Sequence, residues 1–239
     1  FSSGTPIEPT TAMVFAAEFE LDRVLQMTSD LQISDTHITN NVAGSGGGGI
    51  YMQAGVLSLV RSTLSANTAT GSGGGLLNDG AEATIGNVTF SGNRATSVGG
   101  ALHNRVGLAR LNNVTVAVNA ANRGGGLTND SIMRLGNSIV SGNNGGVCTG
   151  LITSTGANLL DVPDTGCTLE QQDATQPVDL IGQAAVLGPL QINDSANDVP
   201  THAIDAFSPA YNAGDDATCE SDDLRGVLRP QGDACDIGA

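Results

Sequence analysis

The chain has 239 residues, of which 33 are glycine, and it has no tryptophan; so little bulky apolar material argues against a large spherical core. Nine arginines, with no lysine, face 24 carboxylates for a net charge of −15, which argues against nucleic-acid phosphates as a partner. No apolar run approaches bilayer-spanning length, so no membrane span is expected.

Three regions follow in order: an N-terminal arm and cap over 1–30, repeats over 31–147, and C-terminal turns with an acidic, disulfide-bonded cap over 148–239. Phe1 to Thr11, rich in Pro, Ser and Thr, reads as an extended arm. From Met13 to Met27, Ala17, Phe19 and Leu21 alternate with Glu18, Glu20 and Asp22, which suits a half-buried strand, although the wider apolar set also fits a short amphipathic helix. A strand there would cap the first turn of a stack.

From Leu31 to Val147 one phrase is written five times. It closes on Asn41, Asn67, Asn93, Asn119 and Asn143, at steps of 26, 26, 26 and 24 residues. Ile38, Leu64, Phe90, Val116 and Val140 keep the same beat, as do Ile33, Leu59, Ile85, Leu111 and Leu135. A fixed period of this length marks a chain that stacks similar turns. Glycine runs and a wealth of Thr, Val and Ile disfavour helix and favour short strands. The expected fold is all-β: a single-stranded right-handed parallel β-helix, a solenoid with about 26 residues per turn, built from three strands and three corners. Stacked turns lie ~4.8 Å apart in such a coil. Ile50, Leu76, Ala101 and Leu127, which follow the glycine runs, read as a further inward column. The repeated asparagines read as a structural ladder at a corner, since an amide both donates and accepts and Asn tolerates left-handed backbone.

After Asn143 the period fades. Val178, Leu180, Ile181, Val186, Leu187 and Leu190 are the residues expected to close the lower end. Fifteen carboxylates lie from Asp161 onward. Cys148, Cys167, Cys219 and Cys235 allow three pairings; proximity favours Cys148 with Cys167 and Cys219 with Cys235. Neither pair has zinc or redox spacing, so disulfides and an extracytoplasmic setting are expected.

Gly99-Gly100-Ala101-Leu102 and Phe90-Ser91-Gly92-Asn93 resemble the paired repeats of chlamydial polymorphic membrane proteins. The tail is similar to bacterial choice-of-anchor Q surface proteins: Gly188-Pro189-Leu190, Pro200-Thr201-His202-Ala203, Ser208-Pro209-Ala210, Asn212-Ala213-Gly214-Asp215, and Asp223-Leu224-Arg225-Gly226 through to Cys235-Asp236-Ile237-Gly238-Ala239. Asn212 stands where that family commonly has Asp. The resemblance implies a secreted or cell-surface right-handed β-helix, usually without assigned catalysis.

Parallel β-helices also include polysaccharide lyases and hydrolases, which line a groove with acids at equivalent points of successive turns. The column Asp35, Arg61, Asn87, Asn113, Asn137 offers one carboxylate. Asp79, His103 and Asp130 are the best catalytic candidates, and their plainer reading is polar loop residues outside an apolar strand. The histidines His37, His103 and His202 share no metal-ligand spacing, and no Ser-His-Asp set assembles. Asp215, Asp216, Glu220, Asp222 and Asp223 are candidate calcium ligands, with a solvated acidic loop as the plainer reading and no other cofactor expected. The sequence therefore favours a non-catalytic extracellular or cell-surface structural or adhesive coil, in its sharper form a fibre subunit that self-associates end to end or through its N-terminal arm and meets a host or matrix surface. The alternative is a carbohydrate-active enzyme.

Overall fold

The computed structural model describes residues 26–161, 166–193 and 198–239. The strand expected over Met13–Met27 falls almost wholly outside them; its last two residues, Gln26–Met27, pair in parallel with Ile50–Met52. The described residues contain strands and no helix, stacked as a parallel β-solenoid.

Hydrogen-bonded register carries the repeat from turn to turn. Ile33 lies against Leu59, Leu59 against Ile85, Ile85 against Leu111 and Leu111 against Leu135. Ile38, Leu64, Phe90, Val116, Val140 and Leu160 form a second column. From Leu59 and from Ile38 onward, all of these side chains are buried. Fully burying a side chain of this size contributes about 1.5–3 kcal/mol, so the inward columns, more than local propensity, hold the coil together. The turns shorten as the coil descends: Ala83 pairs with Ala109, Ala109 with Met133, and Val140 with Leu160.

The expected three strands per turn are not kept throughout: the first turn is divided into Gln26–Met27, Leu31–Ser34, His37–Thr39 and Val42–Ala43, and later turns merge some of these segments. Ile50–Met52 and its equivalents run into a bend before the next segment, and in the third and fourth turns the chain stays extended through it, giving Leu76–Ser91 and Leu102–Ala117. The inward column after the glycines also differs at one place. It reads Ile50, Leu76, Leu102, Leu127, Cys148, because Ala101 stacks under Gly75 as the third member of its glycine run.

Among the described residues, left-handed backbone recurs from turn to turn in three corner columns. One is Asp35, Arg61, Asn87, Asn113 and Asn137; the next is Asn40, Ala66, Gly92, Val118 and Gly142; the third is Gly47, Gly73, Gly99 and Gly124. The ladder asparagines are thus not the left-handed residues themselves. Each follows one, which turns its side chain into the coil. The glycine corner admits no side chain: Gly73 sits at φ 68°, and a Cβ on Gly74 would come within 2.3 Å of the Gly100 carbonyl oxygen.

The C-terminal region first continues the stack, with Cys148–Ser154 paired under Leu127–Asn129 and Ile132–Gly136 and Cys167–Gln171 paired under Cys148–Ser154. Leu180–Ile181 pairs with Leu159–Leu160, and Leu180 and Leu187 pack beside Ile139 and Leu159 with Ala185, Ala210 and Ile237. Val178, Ile181 and Val186 stay exposed, so only part of the apolar patch expected to close the lower end is used for burial. Residues 198–239 then fold back along the side of the coil. Cys148 is bonded to Cys167, and Cys219 to Cys235.

Candidate functional site

Two asparagine columns and one occupied lateral face define the polar chemistry of the coil. In the first column, Asn67 Oδ1 accepts from the main-chain N–H and Nδ2 of Asn41 at 3.1 and 2.9 Å. Asn93, Asn119 and Asn143 repeat this toward the asparagine above, at 2.8–3.0 Å. Each Nδ2 also reaches a carbonyl on the turn above: Asn67 to Ile38, Asn93 to Leu64, Asn119 to Phe90 and Asn143 to Val116. A buried amide with every partner in place is cheap to bury, whereas one that loses its partners is costly.

The second column is Asn78, Asn104 and Asn129, which recur after the glycine corner and form a ladder that the sequence alone does not predict. Asn78 Nδ2 donates to Asn104 Oδ1 and Asn104 Nδ2 to Asn129 Oδ1, both at 2.8 Å, and all three residues are buried. The signal was present, since these residues recur one turn apart. Their neighbours Asp79, His103 and Asp130 are titratable and read as candidate chemistry, whereas the asparagines are not.

Those neighbours receive separate partners. The Asp79 carboxylate accepts from Tyr51 Oη at 3.0 Å and from Arg105 Nε at 2.6 Å, with Arg105 Nη2 on its other oxygen. The hydrogen bond to Asp79 raises the Arg105 pKa above its ordinary value. His103 Nε2 lies 2.8 Å from Asp130 Oδ2. His103 is only 4% exposed, in register between Leu77 and Thr128 beneath the glycine corner, so it is a covered residue and not a loop side chain. Its Nδ1 has no partner.

The corner column Asp35 to Asn137 holds the tail. Arg61 makes a two-pronged pair with Asp35 at 2.8 and 2.9 Å. Below it, Asn87 Nδ2 donates to the Asp222 carbonyl, Asn113 Nδ2 to the Gly238 carbonyl, Asn113 Oδ1 accepts from Glu220 N–H, and Asn137 Oδ1 accepts from Asp215 N–H. Hydroxyls on the neighbouring strands add to this: Thr63 Oγ1 donates to the Pro200 carbonyl at 2.7 Å, Ser91 Oγ lies 2.9 Å from His202 Nε2, and Thr115 Oγ1 accepts from Ala239 N–H. Arg229 bridges Asn87 Oδ1 and the Gly238 carbonyl; burial lowers its pKa, against the opposing pull of Asp223, Asp236, Glu220 and Asp222. The corner column from Asn87 to Asn137 is covered by the chain's own tail.

The calcium candidates are spoken for in part by N–H and O–H donors. Asp223 takes the main-chain N–H groups of Arg225 and Val227 and the Arg225 guanidinium; Asp215 takes Ala217 N–H and Thr218 Oγ1; Asp216 takes Cys235 N–H; and Asp222 contributes its carbonyl to Asn87. Asp216 also lies near the sulfurs of Cys219 and Cys235, which are bonded to each other.

Fold and columns together define a repeat β-solenoid with a side-docked tail. Two stretches of it, residues 35–53 and 87–105, match the model of the Chlamydia polymorphic membrane protein (Chlamydia_PMP) repeat. Each runs from a left-handed corner, through a ladder asparagine, to the strand after the glycine run, so the matched motif coincides with the parts that build the turn. No curated protein and no solved structure matches the chain. No helix among the described residues is long and apolar enough to cross a membrane.

Proposed function

We propose that the protein is a cell-surface structural or adhesive coil of the polymorphic-membrane-protein kind, with a tail of the choice-of-anchor Q type. One observation carries this reading: the residues matched to the surface-protein repeat are the corner, ladder and glycine positions that make the stack, while the outward column Gln32, Ser58, Thr84, Arg110, Arg134 changes character from turn to turn. A scaffold with a constant interior and variable faces is how repeat proteins present an extended binding surface. In the sharper form of the reading, copies associate end to end through the strands at the ends of the stack, since an unpaired edge recruits a further strand. The test is to treat intact source cells with protease and probe with antibody to the coil. Loss of the signal from intact cells supports surface display; full protection until lysis overturns it. Electron microscopy of the purified protein decides the fibre form, for which compact monodisperse particles are the negative result.

A further inference from the structure

The tail brings to Ser91 a histidine that lies 111 residues away in sequence, and the hydrogen bonds of that histidine fix its tautomer. His202 Nδ1 lies 2.7 Å from the Gly188 carbonyl oxygen. A carbonyl only accepts, so Nδ1 carries the proton and Nε2 is left with its lone pair. Ser91 Oγ, 2.9 Å from Nε2, is therefore the donor. Nucleophile, base and orienting acceptor stand in the relation that activates a serine. Burial lowers the His202 pKa from its ordinary value, with the Gly188 contact opposing, which keeps the ring neutral and able to take a proton.

The neighbouring turn offers a contrast. Ser65, one turn above Ser91 in register, also meets a histidine, His37, at 2.7 Å, but its hydroxyl is shared with Thr39 Oγ1 at 3.1 Å. Ser91 differs in facing a groove of about 470 Å³, whose walls include His202 and the apolar side chains of Val118, Leu187, Pro189 and Leu190. That lining suits a short acyl chain, with the carbonyl carbon presented to Ser91.

We propose that Ser91 is a nucleophile activated by His202 that takes the acyl group of short-chain carboxylic esters. In the step, Ser91 Oγ bonds to the ester carbonyl carbon and its proton passes to His202 Nε2. The ester C–O bond breaks, and the leaving oxygen takes that proton. Water then attacks the acyl-serine, giving a proton to Nε2, and Ser91 Oγ recovers it as the carboxylic acid departs. This assignment does not depend on the surface reading above.

The experiment treats the intact protein with a fluorophosphonate and, separately, with p-nitrophenyl acetate. The fluorophosphonate forms an Oγ–P bond with loss of fluoride. One adduct mapped to Ser91 by mass spectrometry is expected, and Ser91→Ala should abolish it. His202→Gln should slow labelling about a hundredfold, the usual contribution of a positioned base. Thr63→Ala removes a different tail contact, the one to Pro200, and should label at the wild-type rate, which separates loss of the base from loosening of the tail. Labelling should slow on acidification as His202 takes up a proton. Absence of an adduct at Ser91 in the wild type, or equal labelling in His202→Gln, overturns the proposal.

Discussion

Asn93 has asparagines above and below it, and its amide joins three turns: it accepts from Asn67 and donates to Leu64 and Asn119. Asn93→Leu strands the Asn67 N–H donors and the Leu64 carbonyl in the interior. At about 1–3 kcal/mol for each unsatisfied buried group, the loss should exceed 3 kcal/mol and appear as a large fall in the melting midpoint followed by circular dichroism. Arg110→Ala, which removes an exposed pair with Glu82, should change stability by less than about 1 kcal/mol in the same assay. Histidines set a pH response at this scale. Burial lowers the pKa of both His37 and His202, so the unfolded chain binds protons that the folded chain refuses. The contribution of the neutral, buried rings is fully present above about pH 6.5 and is lost as pH falls from there through the lowered folded values. The midpoint should therefore drop on acidification through that window, and less so in the double variant His37→Gln, His202→Gln. A variant as pH-sensitive as the wild type would assign the effect to other groups.

At the level of elements, corners and crosslinks decide where the chain turns. The glycine corner tolerates no side chain because the next turn's backbone is already in contact, so Gly74→Ala should force Gly100 aside and destabilise the middle of the coil. The disulfide between Cys148 and Cys167 joins two adjacent turns where the repeat has shortened. Its reduction should cost about 3 kcal/mol in the chain-entropy model, checked by denaturant unfolding of Cys148→Ser, Cys167→Ser against the wild type. The tail is an element of another kind, held largely through its main chain by Asn87, Asn113 and Asn137. Asn113→Ala should raise hydrogen exchange across Glu220 and Gly238 while leaving the inward columns protected. Corner asparagines were legible as a column, yet their task was not, because the atoms they bind lie more than 75 residues away.

For the whole molecule, the question is where the acidic C-terminal third sits. Composition predicts a solvated acidic loop there, with calcium ligation as the sharper alternative; residues 198–239 lie along the side of the coil, where Asp215, Asp216 and Asp223 accept from protein donors. Adding calcium should leave the melting midpoint unchanged, and a clear upward shift would point to a site formed by other carboxylates. The stacking was written in the sequence itself. A beat of about 26 residues in the inward apolar positions and the asparagines can be satisfied only when like positions lie over one another, since a strand that slips by one residue turns its apolar set to water. That constraint is local and repeated, so it survives without knowledge of the rest of the chain. Tertiary structure alone decided how each turn divides into strands, the pairing within the second asparagine column, the burial of His103 and the meeting of Ser91 with His202. These depend on which face the tail covers and on which side chains the bends turn inward. They arise from single long-range contacts with no period, and a contact made once leaves no rhythm to read.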